Sequence, residues 1–319
     1  MSSSATKNIQ DAYPLSPLQE GLLFHSLATT EAGLYTGQFT CLLSRLNVAA
    51  FEQAWQRAIE RHAVLRTAFI WKKSSAPLQA VARRVSLSVS KFDWRALPPT
   101  QQQEQFESYL AADRLEGFNL NRPPLIRLAL FRVDDDSYRF IWSHHHLVLD
   151  GWSVAILLKE VLTIYEALWR GGPIELDQPR PYADYIAWLQ QQDASAAASY
   201  WLNYLKDFTA PTALPASRST SLPHRATAVS GKQQRQLSPE LTATLQQQAR
   251  RHRLTMNTLV QGAWSMLLAR YSGAAEVVFG ATVSGRPVAI AGVEEIVGLF
   301  INTLPVRVRL TGEQPVLEW

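Results

Sequence analysis

The sequence predicts a mixed α/β (α+β) protein of two lobes, at residues 1–175 and 176–319. Helical and strand patterns alternate along both halves of the chain, and this alternation is typical of mixed folds. The 319 residues are enough for two domains of ordinary size. Hydrophobic residues make up 47% of the chain, which is enough for a core in each lobe.

Composition excludes several function classes. Lys and Arg total 31 against 27 Asp and Glu, so the formal net charge is +4, too small an excess for a dedicated nucleic-acid binder. The single cysteine, Cys41, excludes a disulfide scaffold. No apolar run reaches the roughly 18 residues of a membrane-spanning helix, and the polar start of the chain lacks the apolar stretch of a signal peptide. We therefore expect a cytoplasmic protein without nucleic-acid or membrane partners.

Local sequence signals predict the helices and strands of the first half of the chain. After a loose tail at residues 1–12, Ser16 supplies an N-cap, Pro17 suits the first helical position and Gln19 completes a capping box. This pattern predicts a helix from Pro17 to about Leu27. Hydrophobic spacing predicts a helix at Val48–Arg61, and the polar stretch Gln101–Leu115 is expected to be helical as well. Strands are predicted at Val64–Trp71, Leu125–Val133 and Tyr138–His144.

The second half begins with a helix near Ser153, which Gly171 ends. Residues 171–180 are expected to connect the two lobes. A loop rich in Pro, Ser and Thr is predicted at 209–225. The remaining predicted elements are helices at 182–190, 196–208, 239–253 and 256–271, and strands at 226–236, 276–283 and 303–310.

Three consecutive histidines at a strand-to-helix turn form the candidate site. Neutral imidazole can accept a proton or hold a reacting amine near neutral pH. Strand alternation places His144 and His146 on one face and His145 on the other. Asp150 either orients an imidazole or pairs with an arginine, and Gly151 permits a backbone conformation that a Cβ would forbid.

Three rival interpretations compete with catalysis at this turn. Histidines at a strand end are often hydrogen-bonded core residues. His144, His146 and Asp150 could form part of a divalent metal site, but no other cluster supplies the remaining ligands, so we expect no metal. A serine hydrolase is disfavoured because the chain has no Gly-x-Ser-x-Gly elbow.

The segment from His145 to Ser153 resembles the HHxxxDG signature of condensation domains of nonribosomal peptide synthetases. Four further segments resemble motifs of this family and occur in the family's order. They are Ser16–Phe24, which resembles the opening motif, Arg61–Phe69 (RHxxLRTxF), Tyr182–Trp188 (YxDFAxW) and Val297–Arg307 (VGxFVNTxxxR). Five ordered matches spread over the whole chain make the resemblance specific.

The resemblance implies two lobes of the chloramphenicol-acetyltransferase type, arranged in a V with the histidine motif at their junction. The family's last two motifs do not occur before Trp319, so the second lobe is expected to be incomplete. By motif position, His146 is the active histidine, and Asp150 is structural and pairs with an arginine, for which Arg286 is the candidate. Asn302 matches an asparagine near the site. The other site candidates are His145, Gly151, Trp152 and Ser153.

The function implied is amide formation between two carrier-bound substrates. Donor and acceptor peptidyl carrier proteins of adjacent synthetase modules would present them on phosphopantetheine arms, and the domain itself would bind no cofactor. The alternatives are a starter domain that takes an acyl-CoA donor, a stand-alone acyltransferase, and a non-catalytic carrier-binding fragment. An epimerization domain is disfavoured because its pattern differs after the aspartate, where this chain has Gly151-Trp152-Ser153.

Overall fold

The computed structural model describes residues 8–29, 33–72, 76–214 and 233–319, and it confirms the predicted mixture of helices and strands. The helices are α1 (Pro17–Ala28), α2 (Val48–Arg61), α3 (Pro99–Glu116), α4 (Gly151–Arg170), α5 (Tyr182–Leu189), α6 (Ala194–Tyr204), α7 (Pro239–Arg251) and α8 (Met256–Ser272). The strands are β1 (Ile9–Pro14), β2 (Thr36–Ser44), β3 (Thr67–Ile70), β4 (Leu78–Ala82), β5 (Val89–Asp93), β6 (Ile126–Arg132), β7 (Ser137–His145), β8 (Glu276–Val283) and β9 (Asn302–Arg309). In the described part of the chain, no helix is long and apolar enough to cross a membrane.

The chain forms two compact units. The first comprises Met1–Gln192 with Ser284–Asn302, and the second comprises Asp193–Val283 with Thr303–Trp319. The first unit contains a three-stranded sheet of order β1-β4-β3 and a four-stranded sheet of order β2-β7-β6-β5. The second unit contains helices α6–α8, and there β8 pairs with β9. The division at residues 175 and 176 stays a prediction.

The four-stranded sheet determines where the histidines lie. β7 runs antiparallel to both β2 and β6, so it is an inner strand with a neighbour on each side. Phe140 and Trp142 of β7 are buried against Trp55 of α2, with ring centroids 6.1 and 4.8 Å from it. Helices α2 and α4 pack together in the same core. This packing fixes the end of β7, from which the histidines follow.

Local signals predicted several elements well. The capping box at the start of α1 is present: Ser16 Oγ accepts the Gln19 amide at 3.2 Å, and Gln19 Oε1 accepts the Ser16 amide at 2.9 Å. The structure also confirms the bounds of α2 and β8, the β6–β7 hairpin, and the end of α4 at Gly171, which is left-handed.

Other predictions were wrong in part. The expected loose tail ends earlier, because β1 begins at Ile9 and pairs with β4. Residues 63–66 form a short 3-10 helix, so the strand predicted from Val64 begins only at Thr67. Of the strand expected at 226–236, residues 226–232 lie outside the described residues, and residues 233–236 form no strand. Strands β1, β2, β4 and β5 were missed.

Candidate functional site

Residues 144–151, the histidine turn, connect the end of β7 to the start of α4. Backbone hydrogen bonds fix it: among them, the His146 amide donates to the Tyr35 carbonyl at 2.9 Å, and the Val148 amide donates to the His145 carbonyl at 3.2 Å. The turn therefore presents its side chains from a fixed backbone, as a site on a rigid scaffold requires.

His146 is half-buried, and its ring is oriented by the turn itself. Nδ1 lies 3.1 Å from the Leu149 carbonyl oxygen. A carbonyl oxygen only accepts hydrogen bonds, so Nδ1 must carry the proton of the neutral ring. Nε2 is therefore left with the lone pair, which can accept a proton or a hydrogen bond from a substrate.

His145 is buried, with 3% of its surface exposed, and has the opposite tautomer. Its Nδ1 accepts the Leu147 amide at 3.1 Å, so the proton of the neutral ring lies on Nε2. The rings of Tyr35 and Phe118 contact it edge-on, at centroid distances of 6.4 and 6.2 Å. Burial, with a smaller contribution from His146, lowers the pKa of His145 from 6.5 to about 4. Near neutral pH the ring is therefore uncharged and helps to shape the turn.

His144 is also buried, and its ring packs against that of His146 with centroids 5.4 Å apart and planes at 88°. This contact confirms that His144 and His146 lie on the same side of the strand end. Burial, followed by the neighbouring His146 and His145, lowers the pKa of His144 from 6.5 to about 3. Among the described residues, no group of three or more His, Cys, Asp or Glu side chains could hold a metal ion.

Asp150 is fully buried and holds three parts of the first unit together. Oδ1 accepts the Ser153 amide at 2.8 Å, which caps α4. Oδ2 accepts the Phe300 amide at 3.0 Å. Oδ1 also lies 3.5 Å from Nη2 of Arg286, whose side chain is only 5% exposed. The predicted pairing of Asp150 with Arg286 is therefore present.

Ser153 and Arg286 extend this buried network. The Ser153 hydroxyl donates to the Gly298 carbonyl at 2.7 Å and accepts the Gly298 amide at 3.0 Å. Nη2 of Arg286 donates to the same hydroxyl at 3.1 Å, and Nη1 donates to the Ile296 carbonyl at 2.8 Å. The guanidinium also lies over the Phe300 ring, 4.1 Å from its centroid. These contacts favour a structural role for both side chains.

Three further candidates, Gly151, Trp152 and Asn302, are exposed. The φ of Gly151 is not positive, and no atom lies within 4 Å of the place of a Cβ. The expectation that Gly151 adopts a conformation closed to other residues is therefore wrong. Trp152 is 54% exposed and donates from Nε1 to the Glu294 carbonyl at 2.8 Å. Asn302 is the first residue of β9, and its role stays a prediction.

Segments distant in the chain meet at the histidine turn. Nε2 of Gln19, in α1, donates to the Leu147 carbonyl at 2.9 Å. The Tyr182 hydroxyl, in α5, donates to the Leu299 carbonyl at 2.6 Å. A Cβ at Gly298 would lie 2.1 Å from the Tyr182 ring, so only glycine fits there without a shift. One motif segment therefore contacts the turn directly through Gln19, and Tyr182 of another contacts the segment around Gly298, whose carbonyl accepts the Asp150 amide.

Sequence reasoning missed the start of β2. Tyr35 has a φ of 60°, uncommon for a residue with a Cβ, and its carbonyl holds the His146 amide. Its hydroxyl lies 2.7 Å from Nδ1 of His25. Gly37 pairs with His144 in the sheet. The threonines and Phe39 near this segment are a weak strand signal, and no local pattern reveals which strand it joins.

The condensation-domain family model matches residues 9–318. One of the linear gramicidin synthase proteins of Brevibacillus parabrevis is 47% identical over 315 residues, which cover 98% of this chain and 4% of that protein. Bacitracin synthase 1 of Bacillus licheniformis is 37% identical over 312 residues, which cover 97% of this chain and 6% of that protein. The chain thus spans only a small part of the length of these relatives.

Two of the solved structures with a similar fold are condensation domains. The starter condensation domain of rhizomide synthetase, a mutant in complex with C8-CoA, has a TM-score of 0.76 and 23% identity, with 97% of this chain and 68% of that chain covered. The first condensation domain of the CDA synthetase has a TM-score of 0.76 and 19% identity, with 97% and 73% covered. At these identities the likeness establishes the fold.

Proposed function

The chain belongs to the condensation domain family, and we propose that it forms an amide between an acceptor amine and a donor acyl or peptidyl thioester. The observation that carries this proposal is the state of His146. Its ring is half-buried, and the Leu149 carbonyl fixes the proton on Nδ1, so that Nε2 keeps the lone pair. A nitrogen of this kind can take the proton that an attacking amine must lose.

The reaction balances without a covalent enzyme intermediate. The amine nitrogen attacks the thioester carbon, the new C–N bond forms, and the C–S bond then breaks. Nε2 of His146 receives the amine proton as the tetrahedral species forms, and the proton then passes to the departing sulfur. An α-amine has a pKa of about 7.7–8.0, so roughly a tenth is already neutral at pH 7 and needs no strong base. Positioning of the amine by His146 supplies a further part of the rate.

The other site residues support His146 in this proposal. Asp150, Ser153 and Arg286 hold the start of α4 against the segment around Gly298. The hydrogen bonds that they make go to one another and to the backbone, which favours scaffolding over contact with substrate. His145 stays neutral and shapes the turn from its buried side.

The substrates in this proposal are bound to phosphopantetheine arms of donor and acceptor carrier proteins in adjacent modules. Family membership and the naming of the relatives as gramicidin and bacitracin synthases support this choice. A tethered arm raises the local substrate concentration, so the docking surfaces can remain weak. The domain itself binds no cofactor in this proposal, and its place of action is the cytoplasm.

The test is the intact mass of the acceptor carrier after incubation with the full-length protein. Acyl-carrier, peptidyl-carrier and acyl-CoA donors are offered in parallel to an aminoacyl carrier. Amide formation adds the donor group to the acceptor mass and returns the donor as a free thiol. Transfer only from acyl-CoA would assign a starter role. Carrier binding without any mass change would contradict the proposed activity.

A further inference from the structure

His144 is buried next to the proposed catalytic histidine, and the mechanism above does not use it. Only 5% of its surface is exposed. Its Nδ1 is buried and has no hydrogen-bond partner among the described residues. Its cross-strand neighbours are Gly37 on β2 and Ile126 on β6, and the Trp142 ring lies 5.2 Å from its own. Burial of a polar ring nitrogen without a hydrogen bond costs free energy of folding.

Gly37 provides the space that the His144 ring occupies. A Cβ at Gly37 would lie 2.6 Å from Nε2 and 2.7 Å from Cε1 of His144, closer than real contacts allow. The φ of Gly37 is not positive, so the backbone does not itself require glycine there. A Cβ at position 37 therefore fits only if the His144 ring shifts.

The contact between His144 and His146 completes the fixation of the proposed catalytic ring. The Leu149 carbonyl holds one ring nitrogen of His146, and the His144 ring packs against the same ring at 88°. Burial keeps His144 uncharged near neutral pH. An uncharged neighbour does not repel the positive charge that His146 gains when it takes the amine proton.

We propose that His144 is a positioning residue for His146 and that Gly37 makes room for it. This inference rests on the proposed function, since it states how the proposed catalytic ring is oriented. It predicts that Gly37 and His144 act as one unit, because a methyl group at position 37 would press on the His144 ring, which packs against His146.

A double-mutant cycle in the full-length protein tests this unit. We expect Gly37→Ala and His144→Ala each to lower kcat about tenfold, as a displaced catalytic group does, with KM within about twofold of the parent value. In the His144→Ala background, Gly37→Ala should add no further loss, because the methyl group enters space that the ring has vacated. If His144→Ala does not fold, His144→Val, whose side chain is also shorter than the imidazole, replaces it in the cycle.

Two controls separate positioning from loss of structure. Gly262→Ala would bring a Cβ to 3.3 Å from the Trp319 ring, in the second unit and outside the motif segments, and it should leave kcat at the parent value. The second control does not depend on catalytic activity. It measures the rate at which diethyl pyrocarbonate carbethoxylates His146, followed by peptide mass spectrometry. Gly37→Ala should change this rate at least about threefold when the ring is displaced, and should change nothing further in the His144→Ala background.

The outcomes are distinct. Parent protein that makes no amide would contradict the proposed function, and the carbethoxylation cycle would still decide the role of His144. Additive losses in the cycle would overturn the inference, because the two residues would then act independently. Parent-like kcat and His146 reactivity in folded Gly37→Ala and His144→Ala would overturn it as well.

Discussion

The histidine turn has a buried side, formed by His145 and Asp150, and a half-buried side, formed by His146. His145 and His146 are adjacent, yet their Nδ1 atoms do opposite things: that of His145 accepts the Leu147 amide, and that of His146 donates to the Leu149 carbonyl. Identical side chains therefore keep their lone pairs on different nitrogens. The backbone partner of each ring, rather than the residue type, therefore determines which ring nitrogen carries the proton.

The buried side continues into a charged network. Asp150 is fully buried, Arg286 is 5% exposed, and both contact the segment that ends at Phe300. Substitutions on this side should reduce stability, whereas substitutions of His146 should reduce catalysis and leave the fold intact. Variants of the two sides therefore test whether this division holds.

The largest expected loss of stability follows from Asp150→Ala. Removing one partner of a buried ion pair costs about 3–5 kcal/mol, because the remaining charge is left unpaired. The N-cap of α4 and the bond to the Phe300 amide are lost as well. The measurement is the free energy of unfolding from urea titrations of parent and variant.

Asp184→Ala is the matched control for that prediction. Asp184 pairs with Arg180 at 2.9 Å, but the two side chains are 36% and 47% exposed. An exposed pair contributes about 0–1 kcal/mol. Equal losses in the two variants would show that the buried side of the turn has no special structural role.

The next effect is a pH dependence of stability from His144 and His145. Their pKa values are about 3 and about 4 in the folded chain against 6.5 ordinarily. As pH falls below 6.5, the unfolded chain therefore takes up protons first, and stability is lost. Between pH 6 and pH 5 the two groups together should remove about 2 kcal/mol.

His144→Gln is the variant that isolates one of these two groups. It should reduce the slope of unfolding free energy against pH by about 1 kcal/mol per unit. The exposed His252 lies outside the turn, so His252→Gln is the control and should leave the slope as in the parent. An unchanged slope in His144→Gln would mean that the buried ring titrates normally.

The smallest effect is expected at Gly151. No atom crowds its Cβ position, so Gly151→Ala should raise stability by about 0.5 kcal/mol through the unfolded state. Gly298→Ala is the opposite case, because its Cβ would lie 2.1 Å from the Tyr182 ring, and such overpacking costs about 1–3 kcal/mol. Melting temperatures of both variants compare the two positions, and a loss at Gly151 would contradict its assignment as uncrowded.

The features of the fold that could be predicted from the sequence are those set by contacts between residues close together in the chain. The Ser16 and Gln19 capping box and the glycine after α4 act within one turn of backbone, and both were predicted. Asp150 and Arg286 are 136 positions apart in the chain, so no local signal could show that they pair. Their pairing was predicted from the resemblance to a known family. β1 and β4 were missed because both are short and each is stabilised by pairing with the other. That pairing joins distant parts of the chain, so no short stretch of sequence reveals it.

The same limit applies to the candidate site. Motif position indicated His146, but its tautomer depends on the Leu149 carbonyl, and its backbone is held by Tyr35, just before β2. The contact between Gly37 and His144 depends on strand register. Register is set by tertiary pairing, so neither contact is visible in the order of residues.

The most direct test of the proposed mechanism is single-turnover amide formation by His146→Ala, read from the intact mass of the acceptor carrier. His146 is half-buried, so the variant should keep a melting temperature close to that of the parent. We expect its rate of amide formation to fall at least about 100-fold, the contribution typical of a general acid–base group. A folded His146→Ala protein that forms product at the parent rate would contradict the assignment of the reaction to this histidine.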